Sequence, residues 1–581
     1  MKSRILICMA ATTFGLMAIS LQLAAQEDHA RHHHYKLIDM GTFGGPESYI
    51  NGFEYGGPLY NLNSAGTLAG WADTSLPDPY RNSSNAYGNF CFNGDCYASH
   101  AFVTKGGFIA DLGTLPGGYS SASAWISSNG LVAGVSQNGQ FDPQETGSPT
   151  NYPELRAVLW RDGQIIDLGT LGGGPESGAS SVNKRGQVVG WAINRVPDPN
   201  SLFFSGNEYN YYQPIEQYQT RAFLWQNGVM TDLGTLGTGK DAWAQAINDN
   251  GQITGISYTN TTVNKVPTGC GFQGTLIPTE DPFFWENGKM TDMGGLGGTC
   301  GQPLFIGNSG QVVGTSDLPG DLASHPFLWT KVQGMKDLGT LGGHFGTAQM
   351  INDHGVVVGG TTLPGDSQLD AFLWDGRIHD LGALDGCSYA YAVNTHGQVV
   401  GNWGGAQCAE GAFLWENGGP MVDLSTLLSP ASDLLPSVVS NNDLSEIAGM
   451  GVDANGNGHA ILLIPCDENH PDVEGCDYSL VDANIAPSQN PKPVPSATQR
   501  STSLPRTNRN RIPALRCDSS RTFSIEDSEA GSLRVTGQGR GAPSCIRAGA
   551  ECRPDESCCP GLTCAAASVR AFCEGPGSKA K

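Results

Sequence analysis

The chain has 581 residues, 80 of them glycine, with 15% charged residues and a formal net charge of −23. Such an acidic chain is a poor partner for nucleic acid or anionic lipid, whose phosphates repel it. Abundant glycine, scattered aromatics and little helix-forming material point to many short strands and turns.

The N-terminus reads "MKSRILICMAATTFGLMAISLQLAAQED". Lys2 and Arg4 precede an apolar run from Ile5 to Leu23, followed by the small residues Ala24 and Ala25. This pattern predicts a secretory signal peptide over residues 1–25. The rival reading, a retained membrane anchor, is disfavoured because the run is short and no other long apolar stretch follows, so no transmembrane segment is expected after cleavage. The expected location is extracellular or periplasmic, where disulfides are the default state of cysteine. "EDHARHHHY" (Glu27 to Tyr35) reads as a solvated terminus in preference to a metal site. No metal and no cofactor is expected.

Beyond it the chain repeats itself. A "DLG"-type element occurs eight times, with its Asp at 39, 111, 167, 232, 292, 337, 380 and 423. An "IN-x-x-GQVVG"-type element follows each, as in "VNKRGQVVG" from Val182 and "INDNGQITG" from Ile247. A third, "AFLW", appears from Ala222 and Ala371 and degenerates to "HAFV" at His100 and "HAIL" at His459. Each unit thus holds four short apolar runs, two pairs of which flank Asn-Gly-type turns such as "QNG" (Gln226 to Gly228). Such turns favour β-hairpins, because Asn and Gly tolerate positive φ. Four strands in ~43 residues is the period of a β-propeller blade. The first unit starts at "YKLIDMG" (Tyr35) without "AFLW", and the last stops at "HAILLIP" (His459) without "DLG". Pairing these two ends in one blade closes a ring and removes two sheet edges. The predicted fold is therefore all-β, a propeller over residues 35–465 with eight four-stranded blades. Seven remain if the weak unit "LSTLLSP…DLSEIAGMGV" is not a blade, and an open β-solenoid is the alternative architecture.

The units resemble the HAF-repeat family of secreted bacterial proteins, named for its "HAFLW"-type segment beside "DLGTLGG". The resemblance covers roughly residues 35–465. It implies export and a repeat fold, and no assigned reaction.

A catalytic group is needed once, whereas a residue present in every unit solves a packing or turn problem. The "DLG" Asp therefore reads as an acceptor for turn amides. The "AFLW" tryptophans 160, 225, 285, 329, 374 and 415 read as inter-blade core. Departures from the repeat are the functional candidates. Strand alternation puts both tight turns at one end of a blade and the "QVVG"-to-"AFLW" loop at the other. Long insertions occupy that loop in four consecutive units: Asp73 to Ser99, Ser136 to Leu155, Asn194 to Thr220 and Ser257 to Asp281. They are expected to crowd one arc of one face, as binding surfaces of repeat folds often do. Trp71, Trp125, Trp191, Trp243 and Trp403 lie outside "AFLW" and are assigned to that face. With Phe203, Phe204, Tyr209, Tyr211, Tyr212 and Tyr218 they are candidate ligand-binding residues, the competing reading being satellite cores under the loops. "DANGNG" (Asp453 to Gly458) begins like a calcium loop but has Ile464 at the twelfth position, so a plain turn is expected.

Proximity suggests the disulfides Cys91–Cys96, Cys270–Cys300, Cys387–Cys408 and Cys466–Cys476. Residues 484–544 begin Pro-, Ser- and Arg-rich and read as a linker that cannot bury a core. The final cysteines, with spacing C-x6-C-x5-CC-x4-C-x8-C over 545–573, resemble the inhibitor cystine-knot (knottin) family. That resemblance implies Cys545–Cys559, Cys552–Cys564 and Cys558–Cys573, although sequence alone allows 15 connectivities. Cys517 is left without an obvious partner.

No "HExxH", "GxSxG" or phosphate loop is present. Asp142, Glu145, Glu208 and Glu216 are non-repeated acids, but no spacing singles out two. The sequence therefore favours a secreted binding module for an unknown extracellular ligand (glycan, peptide or envelope component) over a propeller enzyme acting on polysaccharide, such as a glycoside hydrolase or lyase, or a purely structural envelope protein.

Overall fold

The computed structural model describes residues 31–482, apart from 51–59, 81–83, 86–87, 90–91, 93–94, 106, 142–152, 199–200, 202–217, 265–276, 406–407, 417 and 429–433. It also describes short strands between 525 and 574. Eight four-stranded antiparallel sheets form an eight-bladed propeller. Blade 1 begins with Gly44–Tyr49, and blades 2 to 8 begin with Ser121–Ile126, Ser177–Val182, Ala242–Ile247, Gly301–Ile306, Gly346–Ile351, Ser388–Val393 and Leu435–Asn441. From blade 2 to blade 8 each first strand touches the next around the central channel. The weak final unit is a true blade. Its fourth strand is Tyr35–Asp39, paired with Gly458–Pro465 from Tyr35↔Pro465 to Asp39↔Ile461, so the chain ends close the ring as the repeat phase predicts.

Each repeated residue has a mechanical role. One hydrophobic cluster fills each seam between neighbouring blades; Ala69 and Ala101 of blade 1 meet Ile126, Val132 and Trp160 of blade 2, for example. The Phe of "AFLW" (Phe102, Phe223, Phe327, Phe372, Phe413) is fully buried in these seams. The Gly of "QVVG" answers a bulge in the first strand. In blade 6 the register slips between Ala348 and Met350, and a Cβ on Gly359 would stand 2.0 Å from the Thr347 carbonyl oxygen. Gly359→Ala should therefore destabilise the propeller by about 3 kcal/mol through overpacking, read as a lower urea midpoint.

The two hairpin turns differ. Between third and fourth strands, Asn227 and Gly228 have φ of 53° and 82°, and Asn287 and Gly288 of 52° and 82°; both residues are left-handed, as a two-residue type I′ turn requires. Between first and second strands a single residue is left-handed, as at Gly186 (φ 74°) in blade 3 and Ser445 (φ 60°) in blade 8. Gly186 N–H donates to the Asn183 carbonyl at 2.9 Å and Asn183 N–H to that of Gln187 at 3.1 Å. That is a type I turn followed by a glycine bulge, so the "IN" asparagine does not supply positive φ there.

That asparagine is instead an inter-blade latch. Its Nδ2 donates to the backbone carbonyl of the equivalent residue in the next blade: Asn63 to Ser127, Asn183 to Asn248, Asn248 to Gly307, Asn352 to Asn394, Asn394 to Asn442, and Asn442 to Asn63. Its Oδ1 accepts two amides of its own turn, as from Arg185 and Gln187 onto Asn183.

The "DLG" Asp accepts the amide of the following glycine at 2.7–2.8 Å in seven units. In the remaining unit Asp423 accepts from Ser425 at 2.9 Å. The residue opening the third strand often binds the same carboxylate, as His100 does Asp111, His325 Asp337 and His459 Asp39, each at 2.9 Å.

Cys387–Cys408 and Cys466–Cys476 are disulfides, as local pairing predicts. Cys96 and Cys300 are each disulfide-bonded; positions 91 and 270 lie outside the described residues. Residues 512–581 form a separate compact unit. In it Glu551–Cys552, Arg570–Glu574 and Thr563–Ala567 make an antiparallel sheet with the second of these in the middle. The side chains of the six cysteines at 545–573, and Cys517, lie outside the described residues.

Candidate functional site

The four long loops all join the second to the third strand, in blades 1 to 4, and so share one face and one arc. Part of three of these insertions is extra strand: the second strands of blades 1, 3 and 4 run on to Pro77, Pro197 and Val263.

The tryptophans assigned to this face do not form its surface. Trp71 is buried, stacked on Tyr49 at 4.1 Å, in a satellite core with Phe92, Val135 and Leu155. Trp191 and Trp243 share a second satellite core with Tyr258 and Ile277, against which Tyr218 packs. Trp403 packs on the seam between blades 6 and 7 and donates through Nε1 to the Ala412 carbonyl at 3.2 Å. Trp125 lies at the opposite end of its blade. It is the penultimate residue of a first strand that runs away from the insertion face. There it packs with Tyr60 of blade 1 (5.1 Å) and Phe305 of blade 5 (6.4 Å), which also lie 6.5 Å from each other. Blades 1 and 5 oppose each other in an eight-fold ring, so this stack crosses the channel near its turn end. Phe203, Phe204, Tyr209, Tyr211 and Tyr212 lie outside the described residues.

What the insertion face does expose is a different aromatic cluster. Tyr80 comes from the blade 1 insertion, Tyr119 from the connection between blades 1 and 2, and Phe141 from the blade 2 insertion. The Tyr80 ring lies 6.2 Å from each of the other two, at interplanar angles of 79° and 70°. Tyr119 is 47% exposed and Phe141 40%. None of the three recurs in other blades. The Asp78 carboxylate shapes this loop, accepting the amides of Tyr80 (2.7 Å) and Phe92 (2.9 Å).

Beside it the loop folds a carboxylate cluster. Glu47, on the first strand of blade 1, Asp73, on the second, and Asp95, in the insertion, bring carboxylate oxygens within 4.8 Å of one another. Glu47 N–H donates to Asp73 Oδ2 at 3.0 Å and Ser99 Oγ to Asp73 Oδ1 at 2.9 Å, while the Tyr49 hydroxyl donates to Glu47. Burial, then the hydrogen bond and charge of Asp95, push Asp73 up to about 9. Burial chiefly raises Glu47 to about 7. At neutral pH the cluster therefore shares protons; fully ionised, its converging oxygens suit a hard cation. Lone acids at 47, 73 and 95 carry no sequence signature; the antiparallel pairing of the first two strands and the return of the insertion bring them together.

Raised carboxyl pKa values mean that the folded state holds protons the unfolded chain has released. Their contribution is therefore lost as pH rises from the ordinary carboxylate range through about 7 and then about 9. The melting temperature should fall across that window. Asp73→Asn, which mimics the protonated acid, should flatten the fall; an unchanged pH profile in thermal melts would contradict the assignment.

No protein-family model matches this chain, and no curated protein matches it in sequence. Among solved structures, dipeptidyl peptidase 4 of Porphyromonas gingivalis is similar at 10% identity and TM-score 0.38, over 68% of this chain and 56% of that one. The β-propeller domain of the Trilobed protease from Pyrococcus furiosus is similar at 11% identity and TM-score 0.32, over 55% and 79%. A gluconolactonase from Xanthomonas campestris is similar at 12% and 0.23, over 42% and 78%. This chain thus spans little more than half the length of the dipeptidyl peptidase, and these likenesses assign no activity.

Proposed function

We propose that the chain is exported and that its propeller is a binding module, engaging an extracellular glycan, peptide or other envelope component through the insertion-rich face. The observation that carries this reading is the exposed, non-repeated cluster Tyr80–Tyr119–Phe141, set on that face while every repeated residue has a scaffold role. Glycan and peptide arrays probed with the secreted chain test it. Binding should fall about tenfold in a Tyr119→Ala/Phe141→Ala variant, as expected when two exposed ring contacts are removed, with melting unchanged. Binding insensitive to both rings would move the site elsewhere. N-terminal sequencing of secreted material should begin near Gln26.

A second reading, turnover of a polysaccharide, is favoured by the Glu47–Asp73–Asp95 cluster, since acid–base cleavage of glycosides uses paired carboxyl groups in different protonation states. Release of new chain ends from a polysaccharide panel, abolished by Glu47→Gln, would establish it in place of simple binding.

A further inference from the structure

The aromatic cluster also bears on the kind of partner, an inference that rests on the binding role above. Tyr119 and Phe141, both open to solvent, each stand roughly perpendicular to the Tyr80 ring. Such a corner presents π faces, which are negative, from more than one side to a single guest. Among the described residues, the charged groups next to it are acidic. Asp78 lies two residues before Tyr80, and burial, Tyr119 and Asp78 together raise the Tyr80 hydroxyl. Asp95 follows on the same blade, while burial holds protons on its neighbours Asp73 and, in part, Glu47 at neutral pH. Among the described residues of this quarter, Arg156 is paired with Glu154 at 2.7 Å, and His100 lies 2.9 Å from Asp111. A neutral sugar gains nothing from that field, whereas a cation gains from both the rings and the acids.

We propose that Tyr80, Tyr119 and Phe141 form the anchor for a lysine or arginine side chain of a basic peptide segment in an extracellular partner, with the surrounding carboxylates steering it in. The ring faces supply the short-range contact. The acids supply a long-range attraction that salt screens.

Calorimetric titration of the mature chain tests this with three probes: a short synthetic peptide alternating Gly with Lys and Arg, its counterpart with Gln at the basic positions, and a neutral chitin oligosaccharide. The basic peptide should bind, weaken about five- to tenfold in the Tyr119→Ala/Phe141→Ala variant, and weaken again as salt rises from about 0.05 to 0.5 M. Tyr119→Phe should bind as the parent does, and thermal melts should show all variants folded. Equal affinity for the Gln peptide, or basic-peptide binding indifferent to the double substitution, would overturn the proposal, and so would silence from all three probes. Oligosaccharide binding lost in the double variant would overturn the cationic partner while leaving the binding role of the face intact.

Discussion

Replacing Asn442 with Ala should destabilise the propeller by about 4 kcal/mol, as several buried hydrogen-bonding groups lose their partners at once. Asn442 Nδ2 donates to the Asn63 carbonyl at 3.1 Å and to Glu446 Oε2 at 2.6 Å, while its Oδ1 accepts the amides of Leu444 and Glu446 at 3.0 Å each. These atoms lie at the seam between the last blade and the first, which the chain joins only through the closing strand Tyr35–Asp39. Two comparisons separate this latch from a generic loss of a polar side chain. In blade 2 the latch position is Ser127, and Asn129 Nδ2 reaches the Lys184 carbonyl from an exposed site at 2.9 Å; Asn129→Ala should cost under about 1 kcal/mol. In blade 5 it is Gly307, whose Cβ would meet nothing closer than 3.6 Å. Gly307→Asn can supply the missing amide and should stabilise by about 1 kcal/mol. Urea denaturation of the three variants checks the order; an Asn442→Ala cost as small as that of Asn129→Ala would refute the latch.

Tyr35→Ala should cost a similar amount, about 4 kcal/mol, and should also change the failure mode. Tyr35 is buried among Val400, Leu414, Ile461 and Leu463, and its hydroxyl accepts from Gln398 Nε2 at 3.3 Å. Gln398 also donates to Glu416 Oε2 at 2.9 Å, and Glu416 Oε1 lies 2.7 Å from Nδ1 of the fully buried His32. One network thus ties the strand Tyr35–Asp39 and the preceding Arg31–His33 to blades 7 and 8. When that strand leaves, Gly458–Pro465 becomes an open sheet edge, a template for pairing with another chain. Size-exclusion chromatography near the transition should show association for Tyr35→Ala and not for Tyr35→Phe, which keeps the ring and should cost about 1 kcal/mol. Burial alone would raise Glu416, but its hydrogen bonds from His32 and Gln398 hold it below the ordinary glutamate range. This part of the stability is present above the unfolded carboxylate pKa and disappears as pH falls through the lower folded value. Acid should therefore loosen the closure, whereas base loosens the Glu47–Asp73–Asp95 corner.

Much of this architecture is legible in the residues because it is local. Strand spacing, the Asn227-Gly228 and Asn287-Gly288 turns, the "DLG" carboxylate on its own glycine amide and the disulfides Cys387–Cys408 and Cys466–Cys476 all join groups close along the chain. The repeat phase supplies the one long-range contact that sequence can also reveal, Tyr35 with Pro465, because a strand spare at one end matches a strand missing at the other. The latch was not legible: an asparagine beside a turn looks the same whether its amide faces water or the next blade.

Which aromatic rings are open was decided only by the tertiary structure. Trp71, Trp191 and Trp243 have the composition of a binding platform, yet the loops they were expected to crown fold down over them, since burying a large ring is more favourable than displaying it. Tyr119 and Phe141, unremarkable in sequence, are exposed and belong to neither satellite core. Glu47, Asp73 and Asp95 meet through strand pairing and the folded-back insertion, and Tyr60, Trp125 and Phe305 through ring closure. Burial and ionisation depend on what packs over a residue in space, a property that repeat period and turn chemistry do not encode.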